Sequence, residues 1–134
     1  MLPQKLGEIL TKQGLIRPDQ LQQALQESAK NKQKLGTTII ALGFLKDSQI
    51  LRALEKQFSV PGVDVSQFEI DQSVLTLVGR DFCEKQSVIP ISKAGTTLVV
   101  AFSDPGNLQT RDDLRFITKF KIQPVVSTDH SISL

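Results

Sequence analysis

The sequence predicts an α+β fold in two parts: a repeat unit of four helices, paired as two helical hairpins over residues 1–58, and a small α/β subdomain over residues 59–134. Three observations support this prediction. Residues 5–28 recur in similar form as residues 34–57, the composition changes at residues 60–62, and apolar residues alternate beyond that point. Repeated sequence indicates repeated structure, in which each unit buries its apolar face against the next.

Identities at a fixed spacing define the repeat. The string Lys-Leu-Gly at residues 5–7 returns at residues 34–36. Four further pairs are identical at the same spacing: Gly14 and Gly43, Gln20 and Gln49, Ala24 and Ala53, Leu25 and Leu54. Each copy is a helical hairpin too small to bury its apolar face alone, so the two copies are expected to pack together. Two copies of one unit also suit a ligand that is itself two-fold.

The helices of the first part follow from apolar spacing and from punctuating residues. Apolar positions predict a helix over residues 5–13, and Gly14 follows it as a C-terminal cap. Pro18 suits the first turn of a second helix, and the polar stretch 29–33 is expected to be a connector or a frayed end. The second copy predicts the same elements again: helix 34–42, a cap at Gly43 and helix 47–57.

The second part begins at the Pro-Gly break, and residues 58–64 are the predicted seam. Residues 63–68 are expected to be extended, and residues 71–85 to form one helix with Asp71 as N-cap, although Gly79 weakens that helix. The other predicted elements are a hairpin of strands 87–92 and 96–102, a turn at 104–107, an amphipathic helix over 108–120 with Leu108, Leu114 and Ile117 on its apolar face, and a strand over 122–126.

Charge and hydropathy restrict the location and the partners. Residues 1–57 carry nine Lys or Arg against five Asp or Glu, whereas residues 58–134 carry seven against nine. A mildly basic first half favours an anionic partner, and a solvated lysine-rich surface explains the same charges equally well. No apolar run approaches the ~20 residues that span a bilayer. A cytoplasmic location without direct membrane insertion is therefore expected, and the single Cys83 fits a reducing compartment.

Catalytic chemistry is not visible in the sequence. There is no Gly-rich phosphate loop and no His/Cys cluster at metal-ligand spacing. His130 is expected to be solvated, Cys83 to be a buried or idle thiol, and the Asp112-Asp113 pair to lie on a helix surface. Without a nucleophile and a matching base, the chain is predicted not to be an enzyme. The absence of Trp and Tyr also removes stacking platforms for polymeric nucleic acid.

The doubled string Lys-Leu-Gly-x-x-Leu-x-x-x-Gly-x(6)-Leu-x-x-x-Leu resembles the tandem motif of the MshEN domain. That domain is the N-terminal part of type II secretion and type IV pilus assembly ATPases. In that family two such motifs, separated by a short spacer, bind cyclic di-GMP. The corresponding segments here, 5–28 and 34–57, have the family's length and spacing. The Ala-Phe-Ser-Asp-Pro stretch at residues 101–105 resembles the family's second subdomain.

The resemblance implies a regulatory domain that binds cyclic di-GMP, has no other cofactor, and controls a hexameric ATPase domain later in the same longer chain. It also implies peripheral placement at the inner membrane through a platform protein. The implied ligand-binding residues are Lys5, Leu6, Gly7, Leu10, Leu21, Leu25, Ser28, Lys34, Leu35, Gly36, Ile39, Ile50, Leu54, Gln57 and Asp104. Two hypotheses compete with this one: a docking module that tethers the ATPase to the platform protein without nucleotide, and a nucleotide sensor without an ATPase.

The residue types suit a cyclic dinucleotide. A Lys-Leu-Gly string at a helix start offers backbone N–H groups, the positive dipole end and a cation to a phosphate. The Gln57 amide can pair with a base or ribose edge. Two apolar stripes offer walls to the purines: Leu6, Leu10, Leu21 and Leu25 in the first motif, and Leu35, Ile39, Ile50 and Leu54 in the second. Asp104 matches a family position where a carboxylate contacts guanine. The alternatives are that the leucines form the core of the helical unit and that Asp104 is a turn residue.

The sequence departs from the family pattern at four positions. Lys5 and Lys34 stand where arginine is usual; lysine keeps the charge but loses the planar fork. Ser28 replaces a glutamine at the end of the first motif, and Thr37 replaces an acidic residue found in some members. The first half-site is therefore expected to be the weaker one.

Overall fold

A computed structural model of the chain describes residues 3–132. Its first half contains four helices: α1 (Pro3–Lys12), α2 (Pro18–Asn31), α3 (Leu35–Ala41) and α4 (Asp47–Phe58). Its second half contains a 3-10 turn (Val65–Gln67), α5 (Gln72–Val78), α6 (Arg80–Gln86), β1 (Val88–Ala94), β2 (Thr97–Phe102), α7 (Leu108–Thr118), β3 (Lys121–Val126) and α8 (Asp129–Ile132). The predicted α+β architecture is confirmed.

Local backbone chemistry accounts for several repeated residues. Gly14 and Gly43 follow α1 and α3 with φ of 73° and 78°, a region that side chains disfavour. The predicted caps are therefore confirmed. Gln20 and Gln49 act at the starts of α2 and α4, where their side-chain oxygens accept from the amides of Arg17 and Lys46 at 2.9 and 2.8 Å. These bonds form the glutamine half of a capping box.

The two repeats share one hydrophobic core. Its buried members come from all four helices, from the links between them and from the end of β3: Leu6, Ile9, Leu10, Ile16, Ala24, Leu35, Ile39, Leu45, Ile50, Ala53, Leu54 and Val126. A residue of the sheet is thus packed inside the helical unit. Burial of this kind stabilises by about 1.5–3 kcal/mol for each large side chain, which a single hairpin could not achieve.

Besides shifts of one or two residues at the ends of α1, α3, α4 and the strands, the structure corrects four of the predicted elements. Helix α2 continues to Asn31, so residues 29–31 are helical, and it ends at Lys32 with φ of 54°. Residues 63–68 are not a strand, because the Asp64 side chain accepts from the Ser66 amide at 3.0 Å and closes a 3-10 turn there. The single helix predicted over 71–85 is two helices, because Gly79 adopts φ of 94° between them.

The fourth correction concerns α7, which ends at Thr118 instead of residue 120. Its predicted apolar face is wrong in part, since Leu114 is fully buried but Leu108 and Ile117 are 65% and 45% exposed. Asp71 is confirmed as the N-cap of α5, with its carboxylate accepting from the Ser73 amide at 2.9 Å.

The sheet has the order β1-β2-β3. Strands β1 and β2 form the predicted antiparallel hairpin. Strands β2 and β3 are parallel, so the chain crosses over between them through α7. Each outer strand carries a proline at the same level: Pro90 and Pro124 are both register partners of Val100 in the central strand.

The predicted seam is tied to the end of β3. The Val63 amide donates to the Val126 carbonyl at 2.9 Å, and the Val126 amide donates to the Pro61 carbonyl at 2.8 Å. The Gly62 amide donates to Glu55 Oε2 of α4 at 3.2 Å. The helical and α/β halves are therefore hydrogen-bonded through this segment, and the domain boundary between residues 58 and 59 stays a prediction.

The glycines of the two Lys-Leu-Gly strings are expected to differ in their tolerance of alanine. A Cβ at Gly7 would lie 2.7 Å from Leu21 Cδ1, whereas a Cβ at Gly36 would meet its nearest neighbour, Leu6 Cδ2, at 3.7 Å. We expect Gly7→Ala to lower the free energy of unfolding by about 1–2 kcal/mol, because the overpacking cost at Leu21 is partly offset by the about 0.5–1 kcal/mol that alanine gains over glycine within a helix. Gly36→Ala should leave it unchanged or raise it by less than about 1 kcal/mol. Equal losses in urea unfolding of the two variants would contradict this.

Candidate functional site

The two repeat-related lysines reach the carboxyl ends of neighbouring parallel strands. Lys5 Nζ lies 3.3 Å from Asp104 Oδ1, and Asp104 follows the end of β2 by two residues. Lys34 Nζ lies 3.8 Å from Asp129 Oδ1, and Asp129 follows the end of β3 by three residues. Because β2 and β3 are parallel, both pairs form on the side of the sheet where these strands have their carboxyl ends, called the lysine edge below. Open α/β sheets commonly bind ligands there.

The two ion pairs have nearly the same accessibility. The lysine side chains are 43% and 42% exposed, and their aspartate partners are 17% and 16% exposed. A half-exposed pair of this kind is screened by water and contributes at most about 1 kcal/mol. A ligand phosphate can therefore compete with the aspartates for these lysines at little cost to the fold.

The first pair is built into a turn. The Gly106 amide donates to Asp104 Oδ1 at 3.1 Å, so Asp104 is a turn residue as well as the partner of Lys5. Lys5 Nζ also lies 5.3 Å from the centre of the Phe58 ring, within cation–π range. Phe58 ends α4, so the start of the first motif meets the end of the second motif here. Sequence reasoning missed Phe58, although it directly follows Gln57.

The second pair is oriented by the α/β half. The hydroxyl of Ser87, a buried residue between α6 and β1, donates to Asp129 Oδ1 at 2.5 Å. Next to Asp129, His130 Nδ1 is 3.1 Å from Thr37 Oγ1 of α3. The expectation of a solvated His130 is therefore wrong, since α8 packs this side chain against α3. Sequence reasoning also missed Ser87 and Asp129, because no spacing rule connects either of them to Lys34.

The two Lys-Leu-Gly strings lie against each other, as the contact of Leu6 with the Cβ position of Gly36 indicates. Of the eight predicted stripe residues, six are at most 4% exposed: Leu6, Leu10, Leu35, Ile39, Ile50 and Leu54. Leu21 and Leu25 are partly buried at the edge of the same core. The stripe is thus mainly core, with two members at its margin.

The other predicted site residues have different environments in the structure. Gly7 is buried against Leu21. Ser28 is buried, and its hydroxyl donates to the Gln33 carbonyl at 2.5 Å, which closes the end of α2. Gln57 is exposed on α4. The structure therefore brings Lys5, Lys34 and Asp104 to one edge, while Ser28 is occupied by its own backbone.

A cavity of about 760 Å³ borders the second pair. Lys34 and Ser87 line it together with side chains of α5, α6 and α8, among them Leu75, Arg80, Cys83 and Ile132. Of the predicted site residues, all of which the structure describes, Lys34 alone lines it. Burial raises the pKa of the Cys83 thiol, with the neighbouring Glu84 charge acting in the same direction. A raised pKa disfavours the thiolate, so Cys83 is a poor nucleophile here.

Metal clusters and membrane-spanning helices are both missing from the described residues, 3–132. No group of three or more His, Cys, Asp or Glu side chains in that range is placed to hold a metal ion. None of its helices combines the length and the apolar character needed to cross a bilayer.

Fold and site together define a two-part α+β domain, in which a tandem helical repeat presents paired lysines to the strand ends of a small sheet. A model of the MshEN domain matches residues 58–134, which is more than half of the chain, and the chain belongs to that family. The match covers the α/β half. The two repeats lie before the matched residues, and they are recognised from the identities between the two copies.

The relatives in sequence include type IV pilus assembly ATPases named PilB. The chain is 36% identical to the Myxococcus xanthus protein, over 96% of this chain and 23% of that protein. It is 31% identical to the Thermus thermophilus protein, over 92% of this chain and 14% of that one. The chain thus spans less than a quarter of the length of these relatives.

Solved structures with the same fold include MshE with cdg, that is, cyclic di-GMP. This chain matches it with a TM-score of 0.64 at 29% identity, with 96% of this chain and 93% of that chain covered. The N-terminal domain of XpsE matches with a TM-score of 0.62 over 99% and 92% of the two chains, and at 19% identity it shows the fold alone. The predicted fold class and the family resemblance are confirmed.

Cys83 is expected to react slowly with a thiol reagent. Since its pKa is raised above the ordinary value of 9.0, less thiolate is present at pH 8 than in the unfolded chain, and the difference persists until the pH passes the raised value. We expect the rate of disulfide exchange with Ellman's reagent at pH 8 to be several-fold lower in buffer than in guanidinium. Equal rates in both solvents would show a fully accessible, unperturbed thiol.

Proposed function

We propose that this chain is a non-catalytic regulatory domain that binds cyclic di-GMP through its two Leu-Gly repeats. The observation that carries the proposal is the paired placement of Lys5 and Lys34, which are equivalent in the repeat and equally exposed at one sheet edge. A cyclic dinucleotide has two phosphates and two bases, so a doubled cationic site matches it in symmetry. The similarity to MshE, which was solved with cyclic di-GMP, supports the same ligand.

The lysines are the phosphate-binding groups in this proposal. Each is held near an aspartate by a weak, half-exposed ion pair, which a phosphate can replace with a stronger charge-assisted hydrogen bond. Release of Lys5 leaves the Asp104 carboxylate with two acceptor oxygens. These suit the adjacent N1–H and N2–H donors of guanine, whereas adenine offers an acceptor at the corresponding ring nitrogen.

The remaining predicted residues take direct or supporting roles. Leu21 and Leu25 of the first motif, and Phe58 directly after the second, are partly exposed and supply the apolar surface for the purines. Gln57, which is exposed on α4, supplies an amide. Gly36 is buried beneath Leu6, whose Cδ2 lies 3.7 Å from the Cβ position, so in this proposal it supports the contact between the two motifs. The buried stripe residues hold the helices in register beneath these groups, and Gly7 allows α2 to pack closely.

The regulatory role rests on the relatives. Their length and their description as pilus assembly ATPases support an ATPase domain elsewhere in a longer chain, on which binding would act. The domain itself would act in the cytoplasm. In this proposal the ligand is bound at the lysine edge. The Val126 side chain in the helical core and the hydrogen bond from the Gly62 amide to Glu55 of α4 connect that edge to the helical half.

Calorimetric titration with cyclic di-GMP tests the proposal directly. We expect saturable one-to-one binding of cyclic di-GMP and none of GTP. Lys5→Met and Lys34→Met should each weaken binding by at least about tenfold, because each removes a charged hydrogen bond to phosphate. Lys12→Met is the matched control, since Lys12 is an exposed lysine at the other end of α1. A folded sample that takes up no ligand, or equal losses in all three variants, would refute the site.

Asp104→Asn tests whether the carboxylate reads guanine. Asparagine keeps the oxygen that caps the turn at Gly106 but replaces the second acceptor with a donor. We expect affinity for cyclic di-GMP to fall by about tenfold or more, while the weaker affinity for cyclic di-AMP changes little. Equal changes for both ligands would mean that Asp104 does not recognise the base.

A docking function is the second candidate, and α7 favours it. This helix exposes Leu108 and Phe116 at 65% and 76%, whereas Leu114 on the same helix is buried. Large exposed apolar side chains on one helix are typical of protein contact surfaces. Neither residue is among the proposed ligand-binding residues, so the proposal of docking to a platform protein does not exclude ligand binding. A failed titration on a folded sample would leave docking as the leading function.

A further inference from the structure

We propose that Asp129, oriented by Ser87, is the counterpart of Asp104 and reads the second guanine of the cyclic dinucleotide. This assignment rests on the proposed function and deepens it. The resemblance in sequence supplies one carboxylate, Asp104, for a ligand that has two identical bases. The structure contains a second carboxylate in the equivalent relation to the second repeat.

The equivalence is visible in both halves of the molecule. Lys5 and Lys34 occupy the same position in the two repeats. Their partners, Asp104 and Asp129, leave the carboxyl ends of adjacent parallel strands, which are about 4.8 Å apart. The strand ends, residues 102 and 126, are register partners, so the two aspartates start from one level of the sheet. The side-chain exposures of the two pairs agree closely, at 43% and 17% against 42% and 16%.

The hydrogen bonds of Asp129 leave it suited to guanine. The Ser87 hydroxyl donates to Oδ1 at 2.5 Å, and Lys34 Nζ approaches the same oxygen at 3.8 Å. Ser87 is buried at φ of 52°, directly before β1, so its position is fixed by the backbone. Both contacts are made to Oδ1, so they hold the carboxylate in one orientation. Neither of these two partners contacts Oδ2. Departure of Lys34 towards a phosphate would open the carboxylate to the N1–H and N2–H groups of guanine.

Space for a base exists beside this pair. The cavity of about 760 Å³ is lined by Lys34 and Ser87, the two residues that contact Asp129, whereas Asp129 itself lies behind them and does not line it. Its apolar lining includes Val88 and Ile132, which offer a purine an apolar surface. Arg80, which also lines the cavity, adds a cation that is paired with Glu84 at 3.0 Å.

The decisive ligand is the hybrid cyclic GMP–AMP, which presents one guanine and one adenine. If each aspartate reads one guanine, the unmodified chain binds cyclic di-GMP more tightly than the hybrid. Asp129→Asn should lose about tenfold or more in affinity for cyclic di-GMP. It should bind the hybrid about as well as cyclic di-GMP, because only Asp104 still selects guanine. Asparagine retains an oxygen for Ser87, so the fold should persist.

Asp81→Asn is the control, because it removes an exposed carboxylate from α6 without touching the site. Unchanged affinity and unchanged discrimination in Asp129→Asn, with cyclic di-GMP still bound by the parent chain, would overturn the role of Asp129 alone. Absence of binding by the folded parent chain would overturn the proposed function and this assignment together.

Should Asp129→Asn melt at a lower temperature than Asp81→Asn, the same comparison is made with Ser87→Ala. That variant keeps the carboxylate but removes the donor that fixes its orientation. We expect a smaller preference for cyclic di-GMP over the hybrid than in the parent chain. A full preference in Ser87→Ala would overturn the orienting role of Ser87 and the assignment that depends on it.

Discussion

The position of Val126 is the constraint on which the rest of the structure depends. Its side chain is completely buried in the core of the helical repeats, although it belongs to β3. Its amide and carbonyl are bonded to Pro61 and Val63, and on its other side it pairs with Phe102. A buried residue with both backbone groups satisfied has no alternative position that preserves these bonds. The relation of the lysines to the strand ends is therefore fixed by packing.

The same constraint explains how two weak ion pairs can define a site. Neither pair contributes enough to hold the two halves together, since half-exposed pairs are worth at most about 1 kcal/mol. The core and the hydrogen bonds at the seam hold the halves, along with Asp47 of α4, which accepts from Thr128 and Ser131 at 2.6 and 2.9 Å. The lysines are positioned by this framework and stay available for exchange of partners. Preorganisation of this kind lowers the cost of binding an anion.

Sequence reasoning succeeded where the physics is local. The tandem repeat, the glycine caps and the β1–β2 hairpin all depend on patterns within short stretches of the chain, and they were predictable. It failed at residues 63–68, where the Ser66 amide donates a hydrogen bond to the Asp64 side chain and forms a 3-10 turn despite the alternating apolar pattern. The exposed Leu108 shows the same limit, because the neighbour that would cover a helix face is not encoded in the periodicity of the helix.

The candidate site was predictable only where its residues are repeated or match the family motif. Lys5 and Lys34 are recognisable by repetition, and Asp104 by the family resemblance. Asp129 and Ser87 are joined across 42 residues by one hydrogen bond, and nothing in either local sequence marks them as partners. Ser28 was assigned to the ligand by the family resemblance, yet it closes its own helix. Long-range pairing of polar side chains is the information that a single sequence does not carry.

Pro90 and Pro124, set at one level on the two outer strands, have a consequence for association between molecules. A proline offers no N–H, so each outer strand has an interrupted row of donors and is a poor template for a strand from another chain. Copies of this domain held at high local concentration would thus resist fusing sheet to sheet into fibres. A stable neighbour must instead bind through side chains, and its surface would have to match helices and loops in shape.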